Sequence, residues 1–504
     1  MNVIFWNSNA IGPKDRRQMF SRYVGPYKIA YWIRKHNYSC QVIDFIAEFS
    51  EEQLYAGTRK FMNSETLVLA LSTTFLCADR YQWSDGVSRM IPESVVKVII
   101  RLKEEFPKLK VIMGGYASDR LSGWGVVDAT VMSYVSATED IFLEYIDHVK
   151  TGSQSPLGRL ETPVLHDNHS GTKMRMIYDQ ARTPKYNIEL DDFKFSEQDV
   201  ILPGELLPLD VSRGCIFACR FCQYPHLGKK KLDYIRGMEF LEQEIIHNYE
   251  QFGTTNYFML DDTFNDTVEK MTAWHAMVNR LPFKISYSAY LRADLIDRFP
   301  DTAYLLSGSG LFGAIHGLES MHPYSSNLIG KAWSGKRAKE FIPKLFHDIW
   351  GSQVAQQLGF IVGLPKETKQ DLLDTYQWFV DNKLHHVSLN FLQLFGPDSK
   401  TTRFSILSEF DKNAEKYGFT FENNKWRNET WTQDESRIFK EELRTMYLKH
   451  NRVNSWTGQV LFSYGYDRDF LLRATSSEID WEKVFVIDRS KYQDYYQRLM
   501  NLDV

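Results

Sequence analysis

Three of the chain's five cysteines, Cys215, Cys219 and Cys222, lie within SRGCIFACRFCQYPH, residues 212–226. The other two, Cys40 and Cys77, stand far upstream, and none follows Cys222. Thiolates are soft ligands that suit iron–sulfur clusters or zinc. Three of them on one short loop can each hold one iron of a [4Fe–4S] cube, whereas structural and electron-transfer clusters normally take a fourth cysteine. The fourth iron is then open to bind a substrate or cofactor, the same logic that separates catalytic from structural zinc sites. Two other readings compete at this point. Cys215, Cys219, Cys222 and His226 make a plausible Cys3His zinc set, and the three thiols could also be incidental.

The elements that must position these cysteines follow from the rest of the sequence. The chain has 504 residues, 43% apolar and 25% charged, which is a globular balance with material for two or three domains. A net charge of −4 gives no basic field that would argue for nucleic acid, and Lys229-Lys230-Lys231 is the one local basic cluster. No apolar run approaches the roughly 18 residues of a membrane helix. The start, MNVIFWNSNAIG, reads as a strand and not as a secretion signal. Few cysteines in a large chain argue against a disulfide scaffold and for a reducing cytoplasm.

Residues 1–150 alternate strand candidates (2–7, 40–45, 67–72, 110–115, 129–134) with helical stretches. In ESVVKVIIRLKEEF, Val95, Val98, Ile99, Leu102 and Phe106 fall on one helical face. This rhythm predicts an α/β, doubly wound parallel sheet, whose ligands sit at the carboxyl ends of its strands. Residues 151–204, opening with TGSQSPLGRLETP, break the rhythm and read as a linker and wrapping segment. From 205 to 400, about six strand–helix repeats predict an open partial (β/α)6 barrel, with the cysteine loop after its first strand, where active sites of such barrels gather. Residues 401–504 are mixed and aromatic-rich, and are expected to close over the barrel mouth.

Cys-x3-Cys-x-aromatic-Cys after a first strand resembles the radical S-adenosylmethionine superfamily. That resemblance implies a [4Fe–4S] cluster on Cys215, Cys219 and Cys222. It implies S-adenosylmethionine chelated to the open iron and cleaved by one electron to a 5′-deoxyadenosyl radical. It also implies a backbone contact from Phe221 to the adenine. Later segments fit the resemblance. FMLDDTFND offers Asp261 and Asp262 for the cofactor's amine, although Asp262, Thr263 and Asn265 could also cap the next helix. YLRAD offers Arg292 for its carboxylate, or for a local salt bridge to Asp294. GAIHGLES offers Glu319 near the ribose or amine. GFIVGLPKET offers Gly359, Ile361 and Gly363 beside the adenine, where glycines let backbone approach a flat ring.

Residues 1–150 resemble the cobalamin-binding domain found at the amino terminus of some members. The resemblance implies a cobalamin tail passing Gly114 and Gly115, with Ser72, Thr73 and Thr74 near the corrin's amide edge. The Asp-x-His loop of cobalamin methyltransferases is absent, and SYVSATED replaces the usual glycine-rich turn after the fifth strand. A cobalamin domain would imply methyl transfer to an unactivated centre, and a fold retained without its ligand would imply other radical chemistry. A methylthiotransferase carries three further cysteines in its amino-terminal domain, and that region of the chain has only Cys40 and Cys77. A zinc-stabilised, non-enzymatic binding protein stays open on the loop alone. The partners implied are a small-molecule or peptide substrate and an electron donor such as flavodoxin or ferredoxin.

Overall fold

The computed structural model describes residues 1–8, 20–73, 81–82, 84, 88–89, 91–115, 126–132, 138–153, 164–166, 173–178, 187–222, 234–331, 333–384, 386–396, 407–423, 425–451 and 481–503. These form two compact units. One comprises Met1–Pro208, Gln243–Thr254 and Trp481–Val504; the other comprises Leu209–Glu242 and Thr255–Asp480.

The first unit is built on a seven-stranded sheet. Its strands are β1 (Val3–Trp6), β2 (Cys40–Ile43), β3 (Val68–Ser72), β6 (Lys110–Gly114), β7 (Ala129–Met132), β8 (Val164–His166) and β9 (Lys173–Tyr178), and a small hairpin of β4 (Tyr81–Gln82) and β5 (Ser88–Arg89) follows β3. The order is β2-β1-β3-β6-β7-β9-β8. Each pairing in the sheet is parallel except β8 with β9. The residues of β1 and β2 are buried throughout, as continuous apolar runs of a covered parallel sheet should be. Helices α1 (Gly25–Lys35), α2 (Glu51–Phe61), α3 (Glu93–Glu105) and α4 (Thr138–Thr151) supply the cover. In α3 the expected stripe Val95, Val98, Ile99 and Leu102 is buried, while Phe106 is the residue after the helix end.

The expected linker at 151–204 is corrected by this sheet. Its Lys173–Tyr178 segment is a strand paired with β7, and Val164–His166 folds back on it. The period-two pattern KMRMIY was there to be read, but Gly, Ser and Pro upstream obscured it. Further on, Phe193 and Phe195 pack edge-on against Tyr31 and Tyr27 of α1, at 5.6 and 5.2 Å between ring centroids. Asp191 binds Lys28 Nζ at 2.5 Å.

The second unit carries a six-stranded sheet in strict sequence order: β10 (Leu207–Leu209), β11 (Asn256–Met259), β12 (Ser286–Leu291), β13 (Leu311–Glu319), β14 (Ala355–Val362) and β15 (Val387–Phe391). From β11 to β15 all pairings are parallel. The expected partial barrel is therefore present, with helices such as α5 (Met238–Phe252) and α6 (Val268–Val278) between successive strands. Trp274 of α6 is fully buried and meets Phe264 and Tyr287 edge-on, at 5.5 and 5.6 Å.

The carboxyl-terminal region divides between the units. An antiparallel hairpin, β16 (Thr420–Glu422) and β17 (Lys425–Arg427), and the helix Gln433–Asn451 belong to the second unit. Tyr447 of that helix meets Tyr376 and Phe379 edge-on at 4.8 and 4.9 Å. The helix Trp481–Asn501 belongs to the first unit. Its Tyr495 hydroxyl accepts the Asp44 backbone N–H at 2.8 Å, and its Tyr492 packs on Phe20 at 5.2 Å. An aromatic helix face of this kind does not reveal from sequence which apolar surface it covers.

Candidate active site

The cysteine loop leaves β10 through Asp210–Ser212. Its three thiols are in no disulfide and are half-buried. The backbone N–H of Cys222 donates to the Cys219 carbonyl at 3.0 Å, so the last two cysteines share a tight turn. Among the described residues, no three His, Cys, Asp or Glu side chains are gathered tightly enough to hold one metal ion. A lone zinc needs its sulfurs about 2.3 Å from a common centre, whereas a cube gives each thiolate its own iron. His226 lies outside the described residues.

Two cations flank Cys219. Arg292, the first residue after β12, donates from Nη1 to Cys219 Sγ at 3.9 Å, and its guanidinium lies 4.0 Å from the ring centroid of Phe217. Its other donors hold Asp294, at 3.0 and 2.6 Å, and the Lys331 carbonyl at 3.2 Å. Burial raises the Cys219 thiol, and Lys331 and Arg292 pull it back down. Arg292 is therefore a brace on the loop, and the local ion pair with Asp294 is present.

Asp261 and Asp262 end in different places. Asp262 is exposed. Asp261 is fully buried at the end of β11, where Lys270 Nζ sits 2.6 Å from Oδ1 and the Val211 N–H donates to Oδ2 at 3.2 Å. Burial raises the Asp261 carboxyl and Lys270 opposes the rise. Its oxygens face Lys270, Ser212 and Val211. Sequence offered no signal for Lys270, which reads as an ordinary helix lysine.

Glu319 closes β13 at φ +67°, next to a register shift between Gly317 and Glu319. Lys331 Nζ binds its Oε1 at 2.9 Å. A Cβ on Gly317 would lie 2.3 Å from Glu319 Oε1 and 2.9 Å from Lys331 Nζ, so only glycine leaves room for this ion pair over the strand. Gly317 pairs with Gly359, and Gly359 with Ser388. Residues two apart share a face, so Ile361 stands on the same side as this bare glycine pair. Phe221 lies in the turn just before Cys222. Gly363 behaves differently from its neighbours. Its φ is +109°, and an added Cβ would meet the Trp426 ring at 2.7 Å. The flat ring Gly363 admits here is the protein's own; Asn428 also donates to its carbonyl at 3.0 Å.

Beyond Gly363, Glu367 is 1% exposed. Ser320 donates to its Oε1 at 2.6 Å, and Oε2 has no hydrogen-bond partner. Burial lifts this carboxyl to about 8. The folded chain then holds the proton more tightly than the unfolded chain at every pH between the ordinary carboxylate range and about 8. The contribution is complete below the ordinary range and is lost as pH rises towards 8, by about 1.4 kcal/mol per pH unit at most. Glu367→Gln keeps a neutral group. Its unfolding midpoint should match the parent's at pH 5 and exceed it at pH 8.5. A variant less stable than the parent at both values would show that Glu367 is folded in its charged form.

In the first unit, Ser72 pairs with Gly114 at the carboxyl ends of β3 and β6. The Thr73 N–H and hydroxyl both donate to the Gly114 carbonyl, at 2.8 and 2.9 Å. Gly115 follows at φ +117°. The structure thus brings Ser72, Thr73, Gly114 and Gly115 together at adjoining strand ends. Thr74, Ser136 and Ala137 lie outside the described residues.

An open parallel α/β sheet with a three-cysteine loop after its first strand defines the class of protein: an α/β half-barrel with three thiols at the end of its first strand. Residues 209–379 match the family model of the Radical SAM superfamily. Over 210 residues the chain is 23% identical to the bacteriochlorophyllide d C-8(2)-methyltransferase of Chlorobaculum tepidum, covering 40% of this chain and 45% of that one. The match thus spans less than half the length of this curated relative. The radical S-adenosylmethionine methyltransferase TsrM from Kitasatospora setae, solved with tryptophan substrate and a SAM analog, superposes with TM-score 0.56 at 13% identity, over 80% of this chain and 75% of that chain. The cobalamin-dependent S-adenosylmethionine radical enzyme OxsB, solved with aqua-cobalamin and S-adenosylmethionine, superposes with TM-score 0.55 at 12% identity, over 100% and 76%. These two likenesses carry the fold. Among the described residues no helix is long and apolar enough to cross a membrane.

Proposed function

We propose that the chain is a radical S-adenosylmethionine enzyme that uses cobalamin to transfer a methyl group to an unactivated centre. The observation that carries the reading is the three-thiol loop after the first strand of a radical SAM domain, with Arg292 and Lys331 beside Cys219. A [4Fe–4S] cluster with S-adenosylmethionine on its open iron would supply one-electron cleavage to a 5′-deoxyadenosyl radical.

The chain's own residues do the rest. Cys215, Cys219 and Cys222 hold the cluster. Arg292 and Lys331 place positive charge next to the sulfur of Cys219, which favours its thiolate. The bare Gly317–Gly359 pair and Ile361 offer a flat apolar strand surface for the adenine, with the Phe221 backbone as the second contact. Glu319, held by Lys331, and the exposed Asp262 present carboxylates for the cofactor's ribose hydroxyls or amine. In the first unit, Gly114 and Gly115 let the cobalamin tail pass close to backbone, and Ser72 and Thr73 face its corrin edge. A flavodoxin- or ferredoxin-like donor in a reducing cytoplasm would supply the electron, and the substrate would be a small molecule or peptide.

A second reading is favoured by one observation. The Thr73 hydroxyl already donates to Gly114, as it would in a sheet retained as scaffold without a corrin. One experiment separates the readings: anaerobic reconstitution with iron, sulfide and hydroxocobalamin, followed by reduction with S-adenosylmethionine. The expected result is about four irons per chain, 5′-deoxyadenosine as product and a corrin absorbance that stays with the protein through gel filtration. Cluster and cleavage without the corrin band select the scaffold reading. One zinc and no iron sinks both.

A further inference from the structure

The cysteines sit on a length of chain whose two stems are clasped together. Ser212 and Ile235 form an antiparallel bridge. The Arg213 N–H donates to the Tyr234 carbonyl at 3.2 Å, and the Arg236 N–H to the Val211 carbonyl at 2.9 Å. Beneath this clasp lies Lys270, 1% exposed. Its ammonium donates to Ser212 Oγ at 2.9 Å and to Asp261 Oδ1 at 2.6 Å, and lies 3.3 Å from Asp266 Oδ1. Ser212 also donates its hydroxyl to Asp261. The Tyr234 hydroxyl donates to Asp266 Oδ2 at 2.5 Å. Ser212, Tyr234, Asp261 and Asp266 are all buried. One cation therefore reaches the entering stem through Ser212 and Asp261, and the leaving stem through Asp266 and Tyr234.

We propose that Lys270 is a positioning residue for the cluster: it fixes the separation of the two stems in the apo chain, so that the three thiols are presented ready for iron. This rests on the cluster-binding reading above. The hydrogen bonds and ion pairs of this network run to the two stems, and its effect passes through the loop backbone. An ammonium placed among buried carboxylates is far from interchangeable with an apolar side chain, because removing it leaves charges buried and unpaired.

Two variants test the proposal. Tyr234→Phe removes the hydroxyl that ties the leaving stem and leaves no unpaired charge on its own side chain. Lys270→Met combined with Asp261→Asn and Asp266→Asn removes the buried cation together with both carboxylates it pairs. For each, three quantities are measured: the unfolding midpoint of the apo chain, the iron retained against a chelator after reconstitution, and the electron paramagnetic resonance spectrum of the reduced cluster. Loss of groups that orient metal ligands typically costs about 10- to 100-fold in metal affinity. The expected result for the triple variant is a loss of iron retention in that range, with a broadened spectrum. Tyr234→Phe should show a smaller loss with a midpoint close to the parent's, which a purely structural role would not produce. Parent-like iron retention and spectrum in Tyr234→Phe overturn the proposal, whether or not the triple variant folds. A parent chain that takes up no iron at all overturns the cluster reading, and this inference with it.

Discussion

Cys219→Ala should leave a folded chain that keeps no intact [4Fe–4S] cluster and releases no 5′-deoxyadenosine. Cys219 is the middle ligand of the proposed set, and its sulfur is the one that Arg292 and Lys331 approach. Removing a half-buried thiol from a loop costs little packing, so the unfolding midpoint should move only slightly. Removing a cluster ligand takes away an iron site outright, and the expected loss of cofactor cleavage is to background. The control is Cys40→Ala. Cys40 is buried on β2, 1% exposed, with its thiol pushed up to about 11 by burial. That substitution should lower stability, by the usual cost of a small cavity, and leave iron content and cleavage as in the parent. Iron retained in full by Cys219→Ala would remove Cys219 from the ligand set, and equal iron loss in both variants would show that the effect is unfolding.

Arg22→Met should be the most destabilising single change in the first unit, by about 3–5 kcal/mol, the usual result of stripping one partner from a buried ion pair. The Arg22 side chain has no exposure. Its Nε and Nη2 hold both oxygens of Glu205, at 2.7 and 2.9 Å, and it lies 3.7 Å from Asp44. It also donates to Tyr27 and to the carbonyls of Asp199 and Val200. The rings of Tyr27, Phe45 and Tyr495 surround the guanidinium at 5.2–5.4 Å. Methionine fills much of the volume but leaves the Glu205 and Asp44 carboxylates facing each other in an apolar shell. Burial already raises Asp44, with Arg22 the main group opposing it. Without the guanidinium Asp44 should take up a proton on folding, so the variant's deficit should shrink as pH falls. Denaturant unfolding at pH 5 and pH 8 checks both parts. A loss below about 1 kcal/mol at pH 8 would show that the charges find water instead. Because Tyr495 is part of this shell, deleting residues 481–503 should destabilise the same unit.

The chemistry was legible because it depends on local spacing. Three thiols on one loop, an aromatic residue before the last and a Gly-x-Ile-x-Gly strand are adjacent-residue patterns, so the sequence by itself determined the three-thiol loop and most strands of the two sheets. The apolar period of α3 and the runs of β1 and β2 settled their elements for the same reason: alternation and helical stripes repeat within a few residues. What the tertiary structure alone decided concerns partners far apart in the chain. It placed Lys270 against Asp261, filled the space beside Gly363 with Trp426, took Lys173–Tyr178 into the first sheet, and sent the last helix to Arg22 and Asp44. A carboxylate or a glycine carries the same local signal whether it faces a ligand or another side chain. Which of the two it meets is set by the burial and charge of residues tens or hundreds of positions away.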